Sequence, residues 1–214
     1  NDTYRNCNLI LLDADEFLVG NSDDMHTLFS DPNTPMSLPW VTYLPRQLDN
    51  TNDLNPLTRI THRRKKERPQ FFKTTVPAAI QRPVEIGAGS HNIKGYSSIP
   101  HPTLRLAHFP VRSSVQIASK VLIGSWNMSL RSKGRSEGYQ WHQLAAEIRQ
   151  DGLPAPEALE RMALNYASKR EVAVTEDPIE TNVHKLKYTK SSPDQLLHNI
   201  CGFVDRVILD RTNK

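Results

Sequence analysis

The stretch that most constrains this chain is Asn8–Val19. Leu9, Ile10, Leu11 and Leu12 run directly into Asp13, Ala14, Asp15 and Glu16 before Phe17, Leu18 and Val19 turn apolar again. A short, branched, apolar run without alternation is the pattern of a strand covered on both faces, as in the middle of an α/β sheet. Carboxylates at the C-terminal end of such a strand are costly to bury unpaired, so the run predicts a cationic partner. Ligands of open α/β sheets gather at the carboxyl ends of strands. A hard divalent cation carrying substrate phosphates suits one or two carboxylates there. Asp13 and Asp15, two residues apart, share one face of an extended chain. An acidic strand end that simply faces water is the plainer alternative.

The 214 residues suit one sizeable domain, or one domain with an appendage. A net charge of +4 is too small to announce a nucleic-acid binder, and suits anionic substrates or contact with an anionic membrane surface. Cys7 and Cys201 stand far apart and read as reduced core residues, with a disulfide open but unsupported. No apolar run reaches the roughly 18 residues of a membrane span, and the first residues carry no signal-peptide pattern. The expectation is therefore a cytoplasmic chain, membrane-associated at most by surface contact.

Along the chain, Gly20–Asp24 reads as a turn, with Asp24 capping a short helix through Phe29. Asp13, Asp15, Asp23 and Asp24 do not make a calcium loop, because Leu18 and Asp24 stand where that loop needs Gly and Glu. Ser37–Leu44 is strand-like, and Trp40 is either a packed wall residue or a platform for an acceptor sugar. Residues 45–69 read as irregular, ending in the basic run His62–Arg68. That run is a solvated loop, a phosphate-closing lid or a contact to anionic lipid or nucleic acid, the last without the interleaved aromatics that would support it. Phe71–Ala79 and Thr103–Phe109 read as strands, with Val84–Ile86 and His91–Ile93 as short extended pieces around the Gly87–Ser90 turn. Ser113 or Ser114 caps a helix to about Ile123, and helices follow over Tyr139–Gln150, Pro156–Ser168 and residues 193–209. Residues 134–138 and 171–192 read as connectors.

Two blocks carry a resemblance. Leu11–Leu18 contains Asp13-Ala14-Asp15-Glu16-Phe17, and Leu106–Ser113 reads Leu-Ala-His-Phe-Pro-Val-Arg-Ser, followed by Gln116 and Lys120. Together they resemble glycosyltransferases of the GT-A fold, closest to the family-2-like group with a DADEF form of the DxD motif and an HFPxRS segment. The resemblance covers about residues 8–150. It implies a Rossmann-like mixed sheet flanked by helices over residues 1–150, with a helical extension over 151–214. It also implies that a nucleotide-binding part, which ordinarily precedes the DxD strand, is missing here or supplied by a partner.

In that reading the chain moves a sugar from a nucleotide-diphosphate donor to a saccharide or other hydroxyl acceptor. Asp13, Asp15 and His108, with His91 the second candidate for the histidine, would hold Mn²⁺ or Mg²⁺. Arg112, Lys120 and His91 would contact the donor, Trp40 the acceptor, and Glu16 or Glu85 would serve as the base of an inverting reaction. Two other classes stand beside it. A haloacid-dehalogenase-type phosphatase also begins with an apolar strand and DxD, but Phe17 stands where it needs Thr or Val. A non-catalytic, transferase-like binding module would keep the fold without the chemistry.

Overall fold

The computed structural model describes residues 7–50, 52–53, 55–68, 71–80, 83–130, 139–165 and 172–180. The element order is β1 (Glu16–Val19), α1 (Ser22–Ser30), β2 (Met36–Leu44), α2 (Pro56–Arg59), β3 (His62–Arg64), β4 (Phe72–Thr74), β5 (Ile99–Pro100), β6 (Arg105–His108), α3 (Ser114–Leu130), α4 (Tyr139–Asp151), α5 (Pro156–Asn165) and β7 (Val174–Glu176). This is an α/β arrangement with a mixed, open sheet of seven strands and five helices among the described residues. The expected helix over residues 193–209, the connector at 134–138 and Cys201 lie outside the described residues. Among those described, no helix is long and apolar enough to cross a membrane.

The sheet is built on β2. Its first half pairs antiparallel with β4 (Leu38 opposite Lys73) and parallel with β5, and its second half pairs parallel with β6 (Trp40 opposite Leu106, Thr42 opposite His108). Neighbours therefore change around Pro39 and Trp40. β6 in turn pairs antiparallel with β1, Glu16 opposite His108, and the order β1-β6-β2-β3-β7 completes the sheet. Leu28, Leu38, Leu104 and Leu106 form a buried core against which Ile10, Leu18, Met25, Met36 and Trp40 pack.

The leading apolar run is a correction to the sequence reading. Leu9 makes one antiparallel bridge with Val76, and Leu11 and Leu12 are each 42% exposed, so residues 9–12 are not a strand covered on both faces. The strand instead follows the acidic residues, which occupy its N-terminal end. Asp13 closes a turn onto Glu16 by accepting from the Glu16 N–H at 3.1 Å. Leu9 packs with Val76, Ile80 and Ile93, while Ile10 packs on the other cluster, so only two of the four apolar residues find a core.

Other differences have local causes. Asn21, not Asp24, caps α1, its side chain accepting from the Asp24 N–H. The stretch expected to be irregular holds α2, started by Asn55 and Pro56, and β3, where the supposed solvated run buries Arg64. Residues 171–192, read as a connector, contribute β7. Residues 88–90 form a 3-10 turn, and Ile86 and Ile93 make isolated bridges rather than strands. Cys7 is exposed, not a core residue.

Contacts divide the chain into two compact units: residues 1–43, 63–109 and 172–179 in one, and 44–62, 110–171 and 180–214 in the other. The division crosses the boundary expected at residue 150. In the first unit, Asn8 ties the chain to the end of α1, donating to the Leu28 and Asp31 carbonyls and accepting from the Ala78 N–H. In the second, Arg46 pairs with Glu160 at 2.8 Å and Ser125 Oγ meets His142 Nδ1 at 2.9 Å between α3 and α4.

Candidate functional site

The antiparallel register of β1 and β6 sets the start of one strand beside the end of the other. The two blocks singled out in the sequence meet there. Asp15 and His108 are both buried, and His108 Nε2 lies 3.9 Å from Asp15 Oδ2. The Phe109 N–H donates to the Asp15 carbonyl at 2.8 Å, which fixes the backbone at the junction.

Trp40, across the sheet on β2, stacks on the His108 ring at a centroid distance of 4.6 Å and an angle of 25°. Phe71 lies against Trp40 at 5.4 Å, and the His91 ring meets it edge-on at 5.6 Å. With three rings packed on it, Trp40 acts as a wall that orients His108, rather than as an open platform. His91 is in turn oriented by its Nδ1–H, which donates to the Phe72 carbonyl. Gly89 lets it approach: its φ is +69°, and a Cβ there would come within 2.5 Å of His91 Nε2. Left-handed backbone and close approach both demand glycine.

The cationic partner predicted for the acidic turn is a side chain. Lys73, on β4 and only 2% exposed, places its ammonium 2.8 Å from Asp13 Oδ2 and 3.5 Å from Glu16 Oε2. It also sits 5.9 Å from the centre of the Trp40 ring, within the range of a cation–π attraction. Glu16 turns the same carboxylate oxygen to the Asp13 N–H at 2.9 Å, while its other oxygen is buried without a hydrogen-bond partner. Burial pushes the Glu16 carboxyl above its ordinary range, against the opposing pull of the Asp13 N–H and Lys73. The Glu16 side chain has no exposed surface, so it is a positioning residue for Lys73 and the Asp13 turn, not a base open to an acceptor. Glu85 is exposed and ion-paired with Lys94 at 2.8 Å, and makes no ion pair with this cluster.

Among the described residues, no three His, Cys, Asp or Glu side chains converge as a ready-made metal cage. Asp13 is 64% exposed but committed to Lys73. Asp15 and His108 are different. Adjacent ligands of an octahedral ion, each held at about 2.1 Å, stand about 3.0 Å apart, closer than the 3.9 Å between these two groups. A carboxylate and an imidazole are donors that Mn²⁺ accepts, and such an ion can take its remaining ligands from phosphate and water. The pair supplies donors of suitable chemistry for such an ion and would have to close up to hold it in adjacent positions.

Arg112 and Lys120 belong to the second unit. There Ser113 caps α3 by accepting from the Gln116 N–H, and Gln116 accepts from the Arg112 N–H at 2.9 Å. The Ser and Gln of the second block are thus a helix-start device close to a capping box. Arg59 donates to the Arg112 carbonyl at 2.7 Å. Lys73, which the sequence matched only loosely to a strand lysine of the group that the chain resembles, was given no role there. Its signal was a single charge in the otherwise uncharged run Phe71–Ala79. Comparison with protein-family models, curated proteins and solved structures finds no match to this chain.

Proposed function

We propose that this chain is a glycosyltransferase of the GT-A kind, using Mn²⁺ or Mg²⁺ to move a sugar from a nucleotide-diphosphate donor to a hydroxyl acceptor. The observation that carries the reading is the meeting of Asp15 and His108. They come from the two separate blocks that resemble the family, and they stand 3.9 Å apart at a strand junction.

In this reading Asp15 and His108 would hold the ion, which when bound would supply Lewis-acid stabilisation of the departing nucleotide's charge. The chain's own residues do the rest. Trp40 and the Phe109–Asp15 backbone bond fix the ligand pair, and Glu16 and Lys73 hold the acidic turn in shape.

The test is a thermal-shift panel of nucleotide sugars with and without Mn²⁺. Wild type is expected to gain stability only when sugar nucleotide and Mn²⁺ are both present, and Asp15→Asn to lose that gain. Failure of every nucleotide sugar to stabilise the wild type in the presence of Mn²⁺ would sink the reading.

A further inference from the structure

We infer that Arg63, Arg105 and the Tyr43 hydroxyl form a phosphate-binding site that Asp177 of the same chain occupies. A phosphate-bearing ligand takes the site by displacing β7. The inference is independent of the transferase reading above, since it uses neither Asp15, nor His108, nor a metal ion.

All four residues belong to the first unit, and the three donors come from three strands, β3, β6 and β2. Arg63 Nε and Arg105 Nη1 both meet Asp177 Oδ2, the latter at 3.0 Å. The Tyr43 hydroxyl donates to the Asp177 carbonyl at 2.9 Å. Tyr43 is fully buried, and Arg63 is steadied by a further bond from Nη1 to the Arg64 carbonyl at 3.0 Å. Three directed donors thus converge on one residue, which answers them with two separate groups, a carboxylate and a backbone carbonyl. A phosphate carries more charge than a carboxylate and has enough acceptor oxygens to take all three alone. Guanidinium forks beside a fixed hydroxyl are the donors that suit it. The side chains of Arg63, Asp177 and Arg105 are 23%, 27% and 29% exposed, so a ligand can reach them.

Apart from this carboxylate the occupant is lightly held. β7 is three residues long, and none of Val174, Thr175 and Glu176 is fully buried. It lies at the edge of the sheet against β3, where the Lys65 N–H donates to the Ala173 carbonyl at 2.7 Å. A short edge strand with little buried surface can open locally while the core stays folded. Exchange of Asp177 for a phosphate leaves neither arginine uncompensated, so the open form escapes the penalty of an unpaired, partly buried charge. Displacement also frees the Lys65 N–H, which reports the ligand's arrival at the sheet edge.

The experiment compares the full chain as wild type, D177A, D177N and R105Q/D177A, in EDTA. One arm is calorimetric titration with pyrophosphate against potassium chloride of equal ionic strength. The other is co-sedimentation with vesicles carrying phosphatidic acid, which separates a lipid headgroup from a soluble phosphate. Removing the internal competitor is expected to tighten binding about tenfold in D177A, and R105Q in that background to abolish the gain. D177N keeps the side chain's shape without its charge, should gain in the same direction, and serves if D177A folds poorly. In wild type, saturating amounts of the probe that binds should speed hydrogen exchange of the Lys65 amide several-fold and leave β1 and β6 unchanged. A gain in either arm supports the site and identifies its source of phosphate. Equal affinity of wild type and both Asp177 variants in both arms, or a gain that survives R105Q, shows Asp177 to be a structural clamp and overturns the inference. Unchanged exchange at Lys65 overturns the displacement of β7.

Discussion

Glu16 is where burial and charge conflict most directly. Its carboxylate has no exposed surface, one oxygen lacks a partner, and the other serves both the Asp13 N–H and Lys73. Removing it leaves a buried ammonium with only an exposed counter-ion and strips the bond from the Asp13 N–H. We expect Glu16→Ala to cost about 3 kcal/mol in urea denaturation, because breaking one side of a buried pair leaves the other uncompensated. Glu16→Gln keeps an acceptor for the Asp13 N–H and should cost clearly less. Equal losses for the two would mean that the hydrogen bond is not what Glu16 contributes. At this scale the sequence spoke clearly about types and poorly about partners. Asp15 and His108 each stand in one of the two blocks, and the structure sets them side by side. Lys73 was not readable, because its meaning depends on Asp13, sixty positions away in the chain.

Among the elements, those with local signals were legible. β2 and β6 carry apolar and aromatic residues at strand spacing, and α3 is capped by Ser113, one of the two serines expected to cap it. β3 was hidden, since its residues are His62, Arg63 and Arg64 and a basic run reads as solvated surface. Arg64 pairs locally with Glu67, three residues on, but Arg63 is neutralised by Asp177 from far along the chain, and no local pattern announces that. The leading apolar run misled in the opposite direction. Its composition is that of a buried strand, yet Leu11 and Leu12 meet no neighbouring strand among the described residues. For α1 the cap is a local feature that can be tested alone. Asn21→Ala should lower stability by about 1 kcal/mol, read as a reduced denaturation midpoint with unchanged slope. Asp24→Ala, by contrast, should leave the cap intact, since Asp24 contributes its backbone N–H.

For the molecule as a whole, the informative feature is how its parts interleave along the chain. Residues 172–179 belong with the first unit although all of α3, α4 and α5 precede them. Asp177 is the reason. Burial alone would raise its pKa, but hydrogen bonds from Arg63 and Arg105 outweigh that and hold it below the ordinary carboxylate range. Tyr43 adds a bond from its hydroxyl to the Asp177 carbonyl at 2.9 Å. A carboxylate held low in the folded state stabilises the fold above its unfolded pKa and loses that contribution as pH falls through its folded value. Wild type should therefore exceed Asp177→Asn in stability at pH 7, with the gap closing in acid below the carboxylate range. Denaturation series at stepped pH measure this, and a gap that is constant with pH would mean the carboxylate's charge plays no part.

The late arrival of β7 also bears on how the protein is made. A nascent chain emerging from its N-terminus presents β3 with an open edge, and Arg63 and Arg105 without their shared acid, through the synthesis of three helices. Open strand edges invite pairing with other chains, and β7 covers this one only after α5 has been made.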